Sequence, residues 1–270
     1  MPNTDRRSAQ FRNLVVIGES HCAGASATKR ELSWAEVLRA TINRFQDEDV
    51  AFFNAGIGAD ILSTQCPLYP LSYQNRRPIG IERYRRQLIE KRPDLAVIAY
   101  GYNDLRGGTP LTDFIADYDL MVSDIKRETD ALLVLVTPYY IPDRCFAHRN
   151  GGTLMGQTWH LGTRQIQEDY VAAIQALAAR HDVLCADVYH TQYGGDWLVC
   201  DSECCTDIHL HDLGHYLTTH TIFKTLAANC SCLAQKALRI RADVGKSPWR
   251  YDANQVEQGL IRDFYPEYVF

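Results

Sequence analysis

Leu14-Val15-Val16-Ile17-Gly18-Glu19-Ser20 is a short apolar run that stops at a glycine, an acid and a serine. An unbroken apolar run of this kind marks a strand covered on both faces, as in a parallel sheet flanked by helices. Similar runs recur at 50–53, 95–100, 131–136 and 183–188. Amphipathic segments separate them. Ser33 followed by Glu36 reads as a capping box for a helix carrying Trp34, Val37, Leu38 and Ile42 inward. Ile81, Tyr84 and Leu88 keep helical spacing, and Thr109-Pro110 starts a helix with Phe114, Tyr118 and Met121 on one side. Ile166, Tyr170, Ile174 and Leu177 mark the clearest amphipathic helix. Asp212 is placed to cap a last core helix ending near Ala228.

Five such strands joined by helical crossovers predict a three-layer α/β/α domain around a doubly wound, five-stranded parallel sheet. A flavodoxin-like strand order is the choice made here, although periodicity does not select it over other parallel orders. The 270 residues divide into a polar N-terminal segment 1–12, a domain over 13–230 and an extension 231–270. Trp249, Tyr251, Phe264, Tyr265, Tyr268 and Phe270 make that extension too aromatic for a free tail. It is expected to pack on the domain or on a second subunit, so a homodimer is plausible. The irregular stretches 61–77 and 139–160 are expected to overhang the sheet edge.

The hydrophobic fraction of 46% supports a sizeable core, and the net charge of -5 gives no basic footprint for nucleic acid. A local cluster at Arg83, Arg85, Arg86, Lys91 and Arg92 is read as the solvated face of a helix. No stretch approaches the ~20 consecutive apolar residues of a membrane span. Residues 1–12 lack the apolar core of a secretory signal, and a cytoplasmic protein is expected. Of nine cysteines, Cys22, Cys66, Cys145 and Cys185 are isolated and suit reduced thiols. Cys200, Cys204, Cys205, Cys230 and Cys232 cluster around His209 without the paired spacing of a zinc site. Free thiols are favoured there, with a disulfide within the group as an alternative.

Three polar signatures follow apolar runs or open a helix. Ser20 sits just past the first strand, where a hydroxyl can project from the sheet edge. Gly101-Tyr102-Asn103-Asp104 puts a carboxamide donor over the same edge. His209-Leu210-His211-Asp212-Leu213-Gly214-His215 brings an imidazole that can take the serine proton. Each alone reads as an ordinary turn, Ser20 as a turn serine and Asn103 as an Asx-turn. Together they are what acyl transfer requires: a nucleophile, a base and an oxyanion donor.

With Asn54-Ala55-Gly56-Ile57-Gly58-Ala59-Asp60 as a further motif, the set resembles the SGNH hydrolases, the GDSL-like esterase and lipase superfamily, over roughly 14–226. The resemblance implies Ser20 as nucleophile and His209 as general base. It also implies an oxyanion hole made of the Ser20 amide, an amide at Gly58 or Ala59 and the Asn103 side chain, with no metal or organic cofactor.

Three departures from the family pattern stand out. Glu19 replaces the usual Asp, a tolerable change in a residue that supports the turn. Ala59 stands where glycine is usual and serves equally if its dihedrals are ordinary. Thr206 occupies the position of the orienting acid, three residues before the histidine. Asp207 is chosen in its place, with Asp201, Glu203 or a backbone carbonyl as alternatives.

The expected function is a serine esterase acting through an acyl-enzyme on a small-molecule, short-chain acyl ester. An O-acetylated carbohydrate is the substrate the resemblance suggests. Two other readings are weighed. One is a non-catalytic binding protein on the same fold, which Thr206 favours. The other is a metal-dependent hydrolase using His209, His211 and His215, whose spacing departs from that of metallo-β-lactamase-like sites. A phosphate loop over 18–29 is rejected, because Ala25 follows Gly24 where a lysine belongs.

Overall fold

The apolar runs form strands β1 (Asn13–Gly18), β2 (Ala51–Gly56), β3 (Leu95–Ala99), β4 (Leu132–Val136) and β5 (Leu184–Ala186). The structure is a computed structural model that describes residues 5–74, 77–147, 159–205 and 207–242, together with Arg262. All strand pairs are parallel, in the order β2-β1-β3-β4-β5. That is the flavodoxin-like order. The chain reverses direction across the sheet between β1 and β3, and in open α/β sheets ligands bind beyond the strand ends at such a point.

The helices are α1 (Ser20–Ala23), α2 (Trp34–Phe45), α3 (Tyr69–Gln74), α4 (Gly80–Gln87), α5 (Tyr102–Gly107), α6 (Leu111–Glu128), α7 (Asp143–Ala147), α8 (Arg164–Arg180), α9 (Val188–Gln192), α10 (Asp212–Asn229) and α11 (Cys232–Ala242). Packing of α2 on α10 forms one outer layer, and α6 packs with α4 and α8 in the other. Leu14, Val15, Val16 and Ile17 of β1 and Leu95 to Ile98 of β3 are fully buried between the layers. Each such aliphatic side chain contributes about 1.5–3 kcal/mol by leaving water.

Several local expectations change. Ser33 occupies the N-cap of α2, but its hydroxyl donates back to the Arg30 carbonyl at 2.7 Å. Glu36 pairs with Arg30 and Arg39 instead, so no capping box forms. The tight 3-10 turn Arg30–Leu32 places that carbonyl nearer than the helix amides. His211, not Asp212, caps α10, its Nδ1 accepting from the Leu213 amide at 3.2 Å. Asp212 is drawn away by Thr28, which donates to it through both its amide and its hydroxyl.

Arg83 is not on a solvated face. It is 2% exposed and ion-paired with fully buried Asp60, because α4 turns it toward the sheet edge.

The N-terminal segment is stitched to the domain. Phe11 is buried, and Arg6 and Arg7 pair with Asp182 and Asp94. Helix α11 opens the extension and lies against α2, with Arg239 paired to Asp47. The aromatic residues from Trp249 to Phe270 lie outside the described residues, as do 148–158 of the long loop. Trp159 packs on the cluster of Ile61, Cys66, Leu68 and Ile79, so the two irregular stretches meet beside the sheet edge.

Candidate active site

Ser20 is the first residue of α1, immediately beyond β1, and is 9% exposed. Gly56, at the end of β2, lets α1 sit this close to the sheet. A Cβ there would meet the Ala23 nitrogen at 2.3 Å. Glu19 is buried behind the serine, and its carboxylate accepts the amides of Gly101 and Asn103 at 2.9 and 3.1 Å. Gly101 has φ of 122°, a conformation that favours glycine. Through Glu19 the turn after β1 is locked to the turn after β3. Burial, and then the nearby Asp104 carboxylate, push the Glu19 pKa well above its ordinary value.

The second turn is anchored from beneath. Asp60 accepts from Arg83 Nε at 3.0 Å and from the Tyr100 hydroxyl at 2.8 Å. The same guanidinium donates to the carbonyls of Gly18 and Ala55 at 3.0 and 2.6 Å. One buried cation thus gathers the ends of β1, β2 and β3. Ala59 has φ of 53°, so its dihedrals are not ordinary. It sits in the left-handed region, which explains why glycine suits this position. A non-glycine residue there costs roughly 1–2 kcal/mol.

Asn103 is buried in the first turn of α5. Its Nδ2 donates to the Asp60 carbonyl at 2.8 Å. A carboxamide nitrogen carries two hydrogens, so one N–H remains for another acceptor. Asp104 accepts the amides of Leu62 and Ser63, and burial pushes its pKa up to about 7 despite those bonds.

The histidine arrives from the other end of the chain. Val199 and Leu210 form an antiparallel bridge, and the Cys200 amide donates to the His209 carbonyl at 2.8 Å. These contacts fold residues 198–211 into an irregular hairpin. His209 Nε2 lies 2.8 Å from Ser20 Oγ, and its Nδ1 lies 2.7 Å from Asp207 Oδ1. Asp207 Oδ1 also accepts the His209 amide at 3.0 Å. A side chain bonding the backbone two residues on is an Asx-turn, which is why an acid at this spacing reaches the ring. Thr206 lies outside the described residues. Burial raises the Asp207 pKa, but bonds from the His209 ring, the Ser26 hydroxyl and the His209 amide outweigh it. They hold the carboxyl well below the usual range.

The other histidines turn elsewhere. His211 Nε2 meets the Trp197 carbonyl at 2.7 Å, and His215 bonds the Ala25 carbonyl and the Trp34 amide. A shared metal by His209, His211 and His215 therefore has no set of free ring nitrogens behind it. Among the described residues no group of three His, Cys, Asp or Glu side chains is placed to hold a metal. His21 stacks on His215 with centroids 4.4 Å apart, and burial lowers the pKa of both rings.

Cys145 is not an isolated thiol. It forms a disulfide with Cys205, tying α7 to the hairpin that carries His209. Cys200 and Cys204 are exposed free thiols, while Cys230 and Cys232 are buried ones. Two residues at the site have roles the sequence does not show: Arg83, which it places on a solvated face, and Ser26. Their partners lie 23 and 181 residues away in sequence, so no local pattern announces them.

A three-layer α/β/α protein with a Ser–His–Asp chain at the switch point of its sheet belongs to a recognisable class of hydrolase. Residues 16–217 match the model of the GDSL-like lipase/acylhydrolase family, and the chain belongs to that family. No curated protein matches the chain in sequence. Solved structures share the fold at low identity. A lipase/acylhydrolase from Enterococcus faecalis is 20% identical with a TM-score of 0.59, over 79% of this chain and 94% of its own. An acetylxylan esterase from Geobacillus stearothermophilus is 15% identical with a TM-score of 0.56, over 83% and 96%. A two-domain esterase active on acetylated mannans is 19% identical with a TM-score of 0.54, over 80% of this chain and 48% of its own. The protein is an ester hydrolase of the GDSL type.

Proposed function

We propose that this hydrolase is a serine esterase that removes short acyl groups, with O-acetylated carbohydrates as its substrate class. In the reaction His209 takes the Ser20 proton as the hydroxyl attacks the ester carbonyl, and Asp207 stabilises the imidazolium that forms. The tetrahedral oxyanion is met by the Ser20 amide, by an amide at Gly58 or Ala59, and by the remaining N–H of Asn103. Collapse passes the proton from His209 to the leaving alcohol and leaves an acyl-Ser20. Water deprotonated by His209 then attacks the acyl carbon, and His209 returns that proton to Ser20 Oγ as the acyl–oxygen bond breaks and the acid leaves.

The observation that carries this reading is the continuous bonded chain from Ser20 Oγ through His209 to Asp207, at 2.8 and 2.7 Å. It also weakens the non-catalytic alternative, whose main support was the threonine at 206. The carbohydrate part of the proposal is supported by the acetylxylan and acetylated-mannan esterases among the structural neighbours.

The test compares wild type with Ser20→Ala on an aryl acetate and on acetylated xylooligosaccharides. Turnover of both by wild type alone is the expected result. Equal turnover by the variant would remove Ser20 from the mechanism. Ser20-dependent cleavage of the aryl ester without acetate release from the sugar would leave the esterase and discard its substrate class.

A further inference from the structure

The bonded chain continues past Asp207. Ser26 Oγ donates to Asp207 Oδ2 at 2.6 Å, so the carboxylate is held at both oxygens, by His209 on one and by Ser26 on the other. We propose that Ser26 is a positioning residue, a clamp that keeps the Asp207 carboxylate turned toward the His209 ring. The inference rests on the esterase reading of Ser20 and His209.

Three features support a clamp. First, the Asp207 side chain is 39% exposed, and the loop's own donors, the His209 ring and amide, both meet Oδ1, so against competing water Oδ2 is held by Ser26. The acid stands two residues before the histidine, on an irregular loop, and has no strand or helix of its own to orient it. Second, Ser26 has φ of 65°, in the left-handed region that glycine occupies without cost. Strain of this kind persists where surrounding structure holds it, and it clusters at functional sites. Third, the loop carrying Ser26 is itself fastened to the start of α10 on both sides. The Ala25 carbonyl accepts from His215 Nε2 at 3.0 Å, and Thr28 donates to Asp212 at 2.8 and 2.6 Å. Ser26 is therefore presented to Asp207 from a fixed strap that begins at the nucleophile helix.

The clamp has a directional consequence. When Ser26 is lost, the carboxylate turns toward solvent and stabilises the imidazolium less, so His209 releases its proton more readily. The acid limb of the pH profile then moves to lower pH. A hydroxyl that only withdrew charge from a carboxylate fixed by other means would have the opposite effect. The other titratable groups that act on the pair are His21, Tyr102, Cys200 and His215. His21 and His215 are held toward the neutral form by burial, and the Tyr102 phenol is pushed up to about 12 by burial.

The experiment uses Ser26→Gly, which deletes the hydroxyl and relieves the backbone, with Ser26→Asn as the variant that keeps a donor and tolerates the left-handed conformation. Thermal stability, kcat and KM on an aryl acetate, and the pH dependence of Ser20 labelling by a fluorophosphonate are measured for each. For Ser26→Gly the melting temperature is expected to change little, relief of the left-handed backbone offsetting part of the lost hydrogen bond. Its kcat should fall on the order of 10- to 100-fold, the worth of one hydrogen bond to a charged group, at little-changed KM. The acid limb of labelling should move to lower pH, and Ser26→Asn should restore part of the rate. Wild-type kcat and limb in Ser26→Gly, with labelling still dependent on Ser20, would overturn the clamp and leave the esterase intact. A lower kcat with the limb unmoved or raised would also overturn it. Failure of Ser20 to label in wild type would remove both.

Discussion

The turns after β1, β2 and β3 and the hairpin 198–211 meet at the same reaction centre, yet they are held in different ways. The first group is fastened by buried atoms. Glu19 joins two turns through backbone amides, and Arg83 gathers three strand ends while paired with Asp60. The hairpin carries the Val199–Leu210 bridge and backbone bonds of its own, among them Cys200 to His209 and His211 to Leu198. Further supports arrive from outside it: the Cys145–Cys205 disulfide, Ser26 on Asp207, and Arg144 on the Ser202 carbonyl. A buried charged network and an exposed tethered loop fail differently. Damage to the first should appear as lost stability, and damage to the second as lost rate.

Asp207→Asn is the largest break on the hairpin side. It leaves the shape but cannot stabilise the imidazolium, so kcat should fall on the order of 10⁴-fold, far more than the loss of stability from the weakened hydrogen bonds would explain. A fall below tenfold would make Asp207 dispensable. Arg83→Met strikes the buried side and leaves Asp60 without its cation. Breaking such a pair costs about 3–5 kcal/mol, to be read from urea unfolding. A loss confined to activity would undo the contrast drawn here.

Asn103→Ala removes one oxyanion donor and should lower kcat by about 10²- to 10³-fold. An unchanged rate would place that side chain outside the hole. The buried His21 ring gives a smaller effect, read through pH. Its folded pKa is depressed by burial, so the unfolded chain binds the extra proton first. The stability it supports is complete above about pH 6.5 and declines as the pH falls below that value. Melting temperatures should therefore drop on mild acidification, and His21→Phe should flatten that drop. The smallest change is Ala59→Gly, which relieves a left-handed alanine and should gain about 1 kcal/mol with kcat unaltered.

Much of the buried side was legible because its signals are local. Apolar runs mark the strands, and each polar motif sits directly at a strand end, as Gly18-Glu19-Ser20 does after β1. The capping residues were less legible. Ser33 meets the Arg30 carbonyl three residues back, while Asp212 is taken from the α10 cap by Thr28, a partner 184 residues away that no local pattern shows. Arg83 was misread because a cationic helix segment usually faces water, and its buried partner Asp60 lies on a different turn.

The sequence by itself determined the doubly wound sheet, the serine, the carboxamide and the histidine, because strand burial and strand-end chemistry are written over a few adjacent residues. Tertiary structure decided which acid meets His209, what fastens that acid, and which cysteines join. Those contacts bring together residues up to 181 positions apart. Their partners are selected by distance and direction in space, which no short stretch of chain encodes.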